Sequence, residues 1–436
     1  MEKAIVCQAF HNPPNSISQM PEIIVRPVQA EDLVQVVNLD RLSFAPLSSN
    51  AEIKTDWYSN GLDLPGRKLY LAVEPATDMG IGSYAQLDLG IWLEAQEFPG
   101  VGIAAVAVAP HRRGQGVARL MLEHALEMGR SQQIPLMMLY PFQHGFYRKL
   151  GWAWVGCTHQ YRISARHLPV YPERSNLIPY APDLHQQALP AAYDKAAQHQ
   201  NGWLQRRDWQ WQNYLKFSKG REIYCYSESD TLLGYVIVQF VYLDRDQNLL
   251  AVVVREWVAL SISAYRGIVG FLASLRDQIS TVIWNTYSTD PFPHLLREQR
   301  QDPSLVSPGF SFGLTHRFGE IGGGFMWRLV DLEAAFRLRR IQPGSPFALT
   351  FQVSDPVFGD RSLGVDFGDG QMHLSHHPAA TMVKISVEHL TTLFCGIRRA
   401  TELAWTGEIE VEGDRTLLPS LDAAWKANPP FCWDFF

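Results

Sequence analysis

The chain predicts an α+β protein of three modules: two mixed αβ domains in tandem, then a smaller αβ module. Three observations carry this. Residues 104 to 131 read as a buried strand, a glycine-rich basic loop and an amphipathic helix, with another strand at 134 to 140. Strand, helix, strand returns between 233 and 284 without such a loop. After Gly322-Gly323-Gly324 the pattern changes to short alternating strands joined by turns such as Gly368-Asp369-Gly370.

Residues 1–22, ending near Pro21, read as an irregular leader. The first domain is expected over 23–168. Ile23–Arg26 starts a strand, and Glu31-Asp32 opens a helix through Leu33, Val36, Val37 and Leu39. Strands at 68–73 and 82–93 follow, then the central segment, and Tyr161-Arg162-Ile163 closes the domain. Four prolines between Pro169 and Pro182 mark a linker. The second domain is expected over 183–318: helix 184–197, a Trp-rich stretch from Arg206 to Tyr214, strands 233–242 and 251–260, helix 268–279 and strand 282–284. The third module, 319–436, has Gly322–Gly324 as a joint and a strand at Met326–Leu329. A helix capped by Asp331 follows, then strands 347–353, 363–367 and 371–374, and helices 387–394 and 398–404.

A chain of 436 residues exceeds one hydrophobic core, which agrees with several domains. The net charge of −6 argues against nucleic acid as a partner, since phosphate backbones select basic surfaces. Five scattered cysteines without a Cys-x-x-Cys fit a reducing cytoplasm, with neither a disulfide framework nor a zinc site. The start, MEKAIVCQAFHNPPN, lacks the apolar core of a secretory signal. No run approaches the ~20 apolar residues of a membrane helix, so no membrane partner is expected.

Chemistry concentrates in the central segment. Arg112-Arg113-Gly114-Gln115-Gly116 lies between a strand and a helix that begins near Val117-Ala118. Unpaired N–H groups at a helix start carry partial positive charge and can hold a phosphate, and glycines let that backbone approach closely. Taken alone, the loop also fits a basic surface turn. Arg113, Gly116 and Ala118 fill Arg-x-x-Gly-x-Ala, which resembles the acetyl-coenzyme A pyrophosphate loop of the GNAT acetyltransferases. Phe146-Tyr147-Arg148-Lys149-Leu150-Gly151-Trp152 resembles the second GNAT signature, whose tyrosine stands beside the thioester sulfur. In the second domain, Ser261–Gly267 sits where the phosphate loop would be but lacks its glycines and arginine. That domain is expected to be GNAT-like without cofactor binding.

The order of modules, with the terminal Pro-Phe-Cys-Trp-Asp-Phe-Phe, resembles the Eis (enhanced intracellular survival) family. Val254-Arg255-Glu256-Trp257 and Trp327-Arg328-Leu329-Val330-Asp331 add to the likeness, as does Leu393-Phe394-Cys395-Gly396. The resemblance implies tandem GNAT-like domains followed by a sterol carrier protein-like αβ domain. It implies acetyl-CoA-dependent amine N-acetylation of a small cationic acceptor such as an aminoglycoside, with Tyr147 as general acid and the C-terminal carboxylate of Phe436 as general base. Six-subunit particles are implied as well. Ala45 after Ser43-Phe44, and Phe435 before the last residue, replace acidic residues of the family and imply weaker attraction for polycationic sugars.

The residues themselves allow this chemistry. A phenol titrates near about 10, close enough to a thiol to protonate it as it leaves. Backbone N–H groups around Val106, Ala107 and Val108 are the expected oxyanion donors. The loop from Arg113 to Ala118, with Gly114, Gln115, Gly116 and Val117, is expected to hold the cofactor. A carboxylate at about 3.5 is a poor base unless burial or a water relay assists it. The aromatic tail alone reads as hydrophobic docking. His373, His376 and His377 lack an accompanying carboxylate or cysteine and read as an exposed hairpin, and Arg337, Arg339 and Arg340 as a solvated helix end. A competing reading, in which the third module carries an apolar ligand, requires a large apolar tunnel within 325–436.

Overall fold

The computed structural model describes residues 22–215, 220–246, 249–299 and 319–436. The expected leader, apart from residue 22, and the end of the expected second domain lie outside them. In chain order the first strands are β1 (Ile24–Pro27), β2 (Arg67–Glu74), β3 (Met79–Leu93), β4 (Gln96–Val108), β5 (Leu136–Leu139) and β6 (Ala153–Trp154). Next come β7 (Cys157–Ser164), β8 (Leu177–Pro179), β9 (Arg221–Glu228), β10 (Thr231–Asp244), β11 (Leu249–Ala259), β12 (Thr281–Thr286) and β13 (Gly319–Gly323). The last are β14 (Met326–Leu329), β15 (Phe347–Ser354), β16 (Arg361–Gly368), β17 (Gln371–Ser375), β18 (Met382–Ser386) and β19 (Ile409–Glu412).

These strands form three sheets, ordered β1-β2-β3-β4-β5-β14-β6, β13-β7-β12-β11-β10-β9-β8 and β17-β16-β15-β18-β19. Sheet membership therefore departs from chain order. β7, which reads in sequence as the end of the first domain, pairs with β12 and β13 in the second sheet. β14, which reads as the opening of the third module, pairs with β5 and β6 in the first. The glycines of 319–323 are strand rather than joint, laid antiparallel on β7. The proline-rich 169–182 segment contributes β8, paired with β9, so it is part of the second domain's edge rather than a free linker. Hydrogen-bonding edges left open by one domain are thus closed by strands from another, which satisfies backbone groups that would otherwise be exposed.

Helix α1 (Leu33–Phe44) and helix α2 (Asn50–Trp57) cover one end of the first sheet, and Ser49 with Glu52 forms a capping box at the start of α2. Helix α3 (Val117–Ser131) packs Val117, Met121, Leu122, Ala125 and Leu126 against β3, β4 and β5. In the second domain the helix starts earlier than its apolar pattern predicts, at Ile262, because the Ser261 side chain accepts from the Ala264 N–H. That cap occupies the helix start, and β11 passes almost directly into it. There is no loop here to hold a phosphate.

The interior of the third module is filled by Phe336, Phe351, Phe367, Phe394 and Trp425, whose rings lie within 6.5 Å of one another along the stack. Two depressions open on this module, and neither is the apolar tunnel that a carrier needs. One depression holds about 140 Å³, and a wider one is lined by polar groups including Glu333, Arg337, His373 and His376. Arg339 departs from the solvated helix end expected of it: it is buried, and its Nε donates to the Phe394 carbonyl at 3.1 Å. Arg328 on β14 ties this module to the first sheet. Its Nη2 meets both oxygens of Asp355 at 2.7 and 2.8 Å, and its Nε donates to the Leu150 carbonyl.

Candidate active site

The site begins at an irregularity in β4. Its register against β3 shifts between Ser83 and Ala85, and Ala105 takes a φ of +48°. A bulge of this kind bends and twists the strand. The parallel pairing of β4 with β5 runs from Gly100↔Leu136 to Ile103↔Leu139 and then stops. Beyond Ile103, β4 diverges from β5. Ala104, Ala105 and Val106 line the cleft that opens between them. On the β5 side of this stretch the ladder has ended, while Ala107 and Val108 still pair with Ser83 and Gly82 of β3, and the expected oxyanion donors Val106–Val108 lie here.

The loop after β4 has the geometry that an anion requires. Gly114 and Gly116 adopt φ of +76° and +82°, and a Cβ at either would meet nothing within 4 Å. The open space is where a ligand could approach the backbone. Gly116 is the N-cap of α3, and no side chain caps that helix. Its first-turn N–H groups keep their partial charge for a ligand. Arg112 is drawn into an ion pair with Glu74, whereas Arg113 and Gln115 are exposed at the loop surface. The residues present fit a pyrophosphate.

Tyr147 sits on a short helix, α4 (His144–Arg148), between β5 and β6. It is buried, and its ring contacts Phe142, Phe146 and Trp152 at centroid distances of 5.5, 5.1 and 6.5 Å. It lines the same cavity as Val106. Burial pushes its phenol above the usual range, so the hydroxyl stays protonated.

The C-terminus reaches the same cavity. Asp434, Phe435 and Phe436 line it together with Tyr147. A Cβ placed on Gly102 of β4 would come within 2.7 Å of the Phe436 ring, so the ring packs directly on bare backbone. Tyr140 sits 4.8 Å from the Phe435 ring and 5.6 Å from the Phe436 ring, and its hydroxyl donates to the Asp434 carbonyl at 2.5 Å.

The tail is held by the second domain. Arg206 is buried, with Nε 2.8 Å from Asp434 and its two Nη atoms 3.0 and 2.5 Å from the carboxylate of Glu256. Tyr235 donates to Glu256 at 2.5 Å, and the guanidinium lies 4.0 and 3.9 Å from the ring centroids of Tyr193 and Tyr214. Upstream, the Phe431 N–H donates to the Asn201 carbonyl at 2.8 Å. Gly202 there leaves no room for a side chain, because its Cβ would lie 2.7 Å from the Phe431 carbonyl oxygen. Sequence reasoning did not find this clamp. Arg206 and Glu256 stand in segments noted for other features, and their pairing is a tertiary fact.

The cavity holds about 770 Å³ and is also walled by Phe44 and Trp57 from α1 and α2, Leu87 and Leu89 from β3, and Trp209 from the second domain. None of these was expected from sequence. Aromatic residues at helix ends carry no local mark that separates a pocket wall from core.

Comparison with known proteins agrees with this architecture. Residues 24–155 and 202–329 each match an acetyltransferase (GNAT) domain, and residues 332–433 match a sterol carrier protein domain. The N-acetyltransferase Eis of Mycobacterium bovis is 25% identical over 365 residues, 81% of this chain and 84% of that one. Two GNAT acetyltransferase domains thus precede a sterol carrier protein domain, and the chain is a homologue of Eis. The same figures hold for Eis of Mycobacterium tuberculosis. Among solved structures, a GCN5-related N-acetyltransferase from Anabaena variabilis superposes with a TM-score of 0.80 at 23% identity, covering 95% of this chain and all of that one. Eis1 of Mycobacterium abscessus gives 0.74 at 19%, with 95% of this chain and 100% of that one covered. These two likenesses speak to the fold. GNAT domains use acetyl-CoA, and the second of the pair here keeps the fold while its helix start is closed by Ser261.

One further carboxyl lies behind the cavity wall. Asp40 on α1 is buried and accepts from the hydroxyl of Tyr58, which lines the cavity. Burial pushes the Asp40 carboxyl up to about 7. The folded state therefore keeps a proton between roughly pH 4 and 7 that the unfolded state has released. Stability contributed by this group is full below pH 4 and is lost as pH rises to 7. Replacing Asp40→Asn removes that dependence. The difference in Tm between wild type and variant is expected to shift in favour of the variant as pH rises from 4 to 7, and to stay level above. Thermal scans across that range check it, and a constant difference would assign Asp40 an ordinary pKa.

Proposed function

We propose that the chain transfers the acetyl group of acetyl-CoA to a primary amine, with Tyr147 as general acid and the C-terminal carboxylate of Phe436 as general base. The observation that carries the reading is convergence. The diverging edge of β4, Tyr147 and the last residue of the chain line one cavity. Arg113–Ala118 would hold the pyrophosphate, with the backbone of Gly114 and Gly116 and the start of α3 as donors. Acetyl-CoA supplies the acetyl group as a thioester.

The amine nitrogen forms its bond to the acetyl carbon as the carbon–sulfur bond breaks. N–H groups of Val106–Val108 stabilise the charge that develops on the carbonyl oxygen. Tyr147 gives its proton to the departing thiolate. A raised phenol pKa is compatible with this, because the same burial raises the basicity of the thiolate it serves. The Phe436 carboxylate, directly or through water, removes the amine proton. The family likeness makes small cationic amines such as aminoglycosides the starting acceptors for assay, with polyamines and protein lysines next.

The test is release of coenzyme A thiol with purified protein and an amine panel, alongside calorimetric binding of acetyl-CoA. Appending one residue after Phe436 moves the carboxylate away and is expected to lower kcat by about 100-fold. The Kd for acetyl-CoA and the Tm should stay unchanged. Undiminished turnover would remove Phe436 from the base role, and failure to bind acetyl-CoA would sink the reading itself.

A further inference from the structure

We infer that the third module positions the proposed acid, with Glu388 and Arg328 as positioning residues that set where Tyr147 stands in the cavity. The inference rests on the reading of Tyr147 as general acid and adds what holds that acid in place. Tyr147 lies on an excursion of the chain that leaves β5 after Leu139 and returns at β6 with Ala153. Both ends of the excursion pair with one strand, β14. Met326 faces Leu139 on one side and Trp154 on the other, and Trp327 faces Met138 and Ala153. Helix α4 has five residues. So short a helix does not hold its own geometry, because the first turn costs more order than its hydrogen bonds return. Its position must be set by contacts from outside.

Two contacts from the third module supply it. Next to Tyr147 in the chain, the Arg148 Nε donates to Glu388 Oε1 at 2.6 Å. Glu388 belongs to the helix Val387–Phe394, whose start is fixed by the Ser386 side chain accepting from the His389 N–H. Three residues past Tyr147, the Leu150 carbonyl accepts from the Nε of buried Arg328 at 3.0 Å. Asp355 holds that guanidinium, and one oxygen of Asp355 also accepts from the Val357 and Phe358 N–H groups at 2.9 and 3.0 Å. Gly151 lets the two parts meet. Its φ is +80°, and a Cβ there would lie 2.6 Å from Val387 and 2.9 Å from the Arg328 Nε.

The Leu150 and Trp152 N–H groups both donate to the Tyr147 carbonyl, at 2.9 and 3.3 Å. A shift of either anchor is therefore passed to the Tyr147 backbone, and from there to its hydroxyl. Catalysis is steeply sensitive to the placement of a reacting group, so a displacement of about 1 Å lowers turnover without weakening acetyl-CoA binding. Glu388 carries the test because its partner Arg148 is half exposed, and an ion pair of that kind adds little to global stability.

The experiment measures kcat and the KM for acetyl-CoA, with the best acceptor of the amine panel, for Glu388→Ala and Glu388→Gln. Each is made alone and combined with Tyr147→Phe. Glu388→Ala is expected to lower kcat about tenfold and to leave the KM within about twofold of wild type. Glu388→Gln keeps an oxygen for the Arg148 Nε and is expected to recover most of that loss. In the Tyr147→Phe background no acid remains to be placed, so Glu388→Ala is expected to change kcat by less than about twofold. A wild-type kcat in Glu388→Ala, or the same loss in both backgrounds, overturns the positioning role and leaves Tyr147 as the acid. A Tyr147→Phe variant with wild-type kcat removes the acid and this inference with it. Hydrogen exchange reads the brace without an acceptor. Amides of residues 141–152 are expected to exchange about tenfold faster in Glu388→Ala, with β9, β10 and β11 unchanged. Unaltered exchange in 141–152 overturns the inference whatever the kinetics.

Discussion

Tyr147→Phe is expected to lower kcat by about two to three orders of magnitude, the usual worth of a positioned general acid. The fold and the Kd for acetyl-CoA should be preserved. The substitution suits the question because the ring contacts with Phe142, Phe146 and Trp152 survive it. Only the hydroxyl is removed. Among the described residues that hydroxyl has no hydrogen-bond partner to lose. A packing role therefore predicts almost no change, and a proton-donor role predicts a large one. The pH profile adds a second reading. Burial raises the phenol above its usual range, so loss of the acid should not limit kcat at any pH below about 10. Steady-state kinetics of the variant with a saturating amine decides it. A kcat within about threefold of wild type would assign Tyr147 to the core.

Arg206→Ala is expected to produce the largest loss of stability, about 3–5 kcal/mol, and to remove activity as well. Arg206 bridges two buried carboxylates, Glu256 and Asp434. Removing it leaves both in a low-dielectric interior without a counter-charge, and also takes a cation from between the faces of Tyr193 and Tyr214. The effect on activity comes through geometry. Asp434 is two residues from the C-terminus, so the clamp sets where Phe436 can lie. Urea unfolding measures the first effect, and carboxypeptidase release of Phe436 measures the second. Asp434→Asn keeps an acceptor for the Arg206 Nε and should fold. It is expected to loosen the tail and lower kcat by about tenfold, with a smaller stability loss. A tail equally resistant to carboxypeptidase in Asp434→Asn would show that Phe431 and the upstream contacts hold it alone.

Legibility in the sequence followed the range of the interactions. The glycine-rich loop before α3 was readable because its constraints are local. Only glycine takes positive φ readily at 114 and 116, and a helix start follows at once. The Asp331 cap and the helix 387–394 were readable for the same reason, since each is decided within a few residues. The buried Arg339 was misread because a run of arginines at a helix end looks the same whether or not one of them turns inward.

What the sequence alone determined is therefore the α+β class, the succession of modules, the glycine-rich basic loop and the tyrosine motif, all written in residues that are neighbours in the chain. The tertiary structure decided the rest. It moved β7 and β14 across domain lines, because an open sheet edge accepts whichever strand reaches it. It brought Arg206, Glu256 and Asp434 into one buried network and seated Phe436 on the bare backbone of Gly102. It lined the cavity with aromatic and aliphatic walls. Ion pairing and wall chemistry depend on which distant groups share a space without water, and that information exists only once the chain has folded.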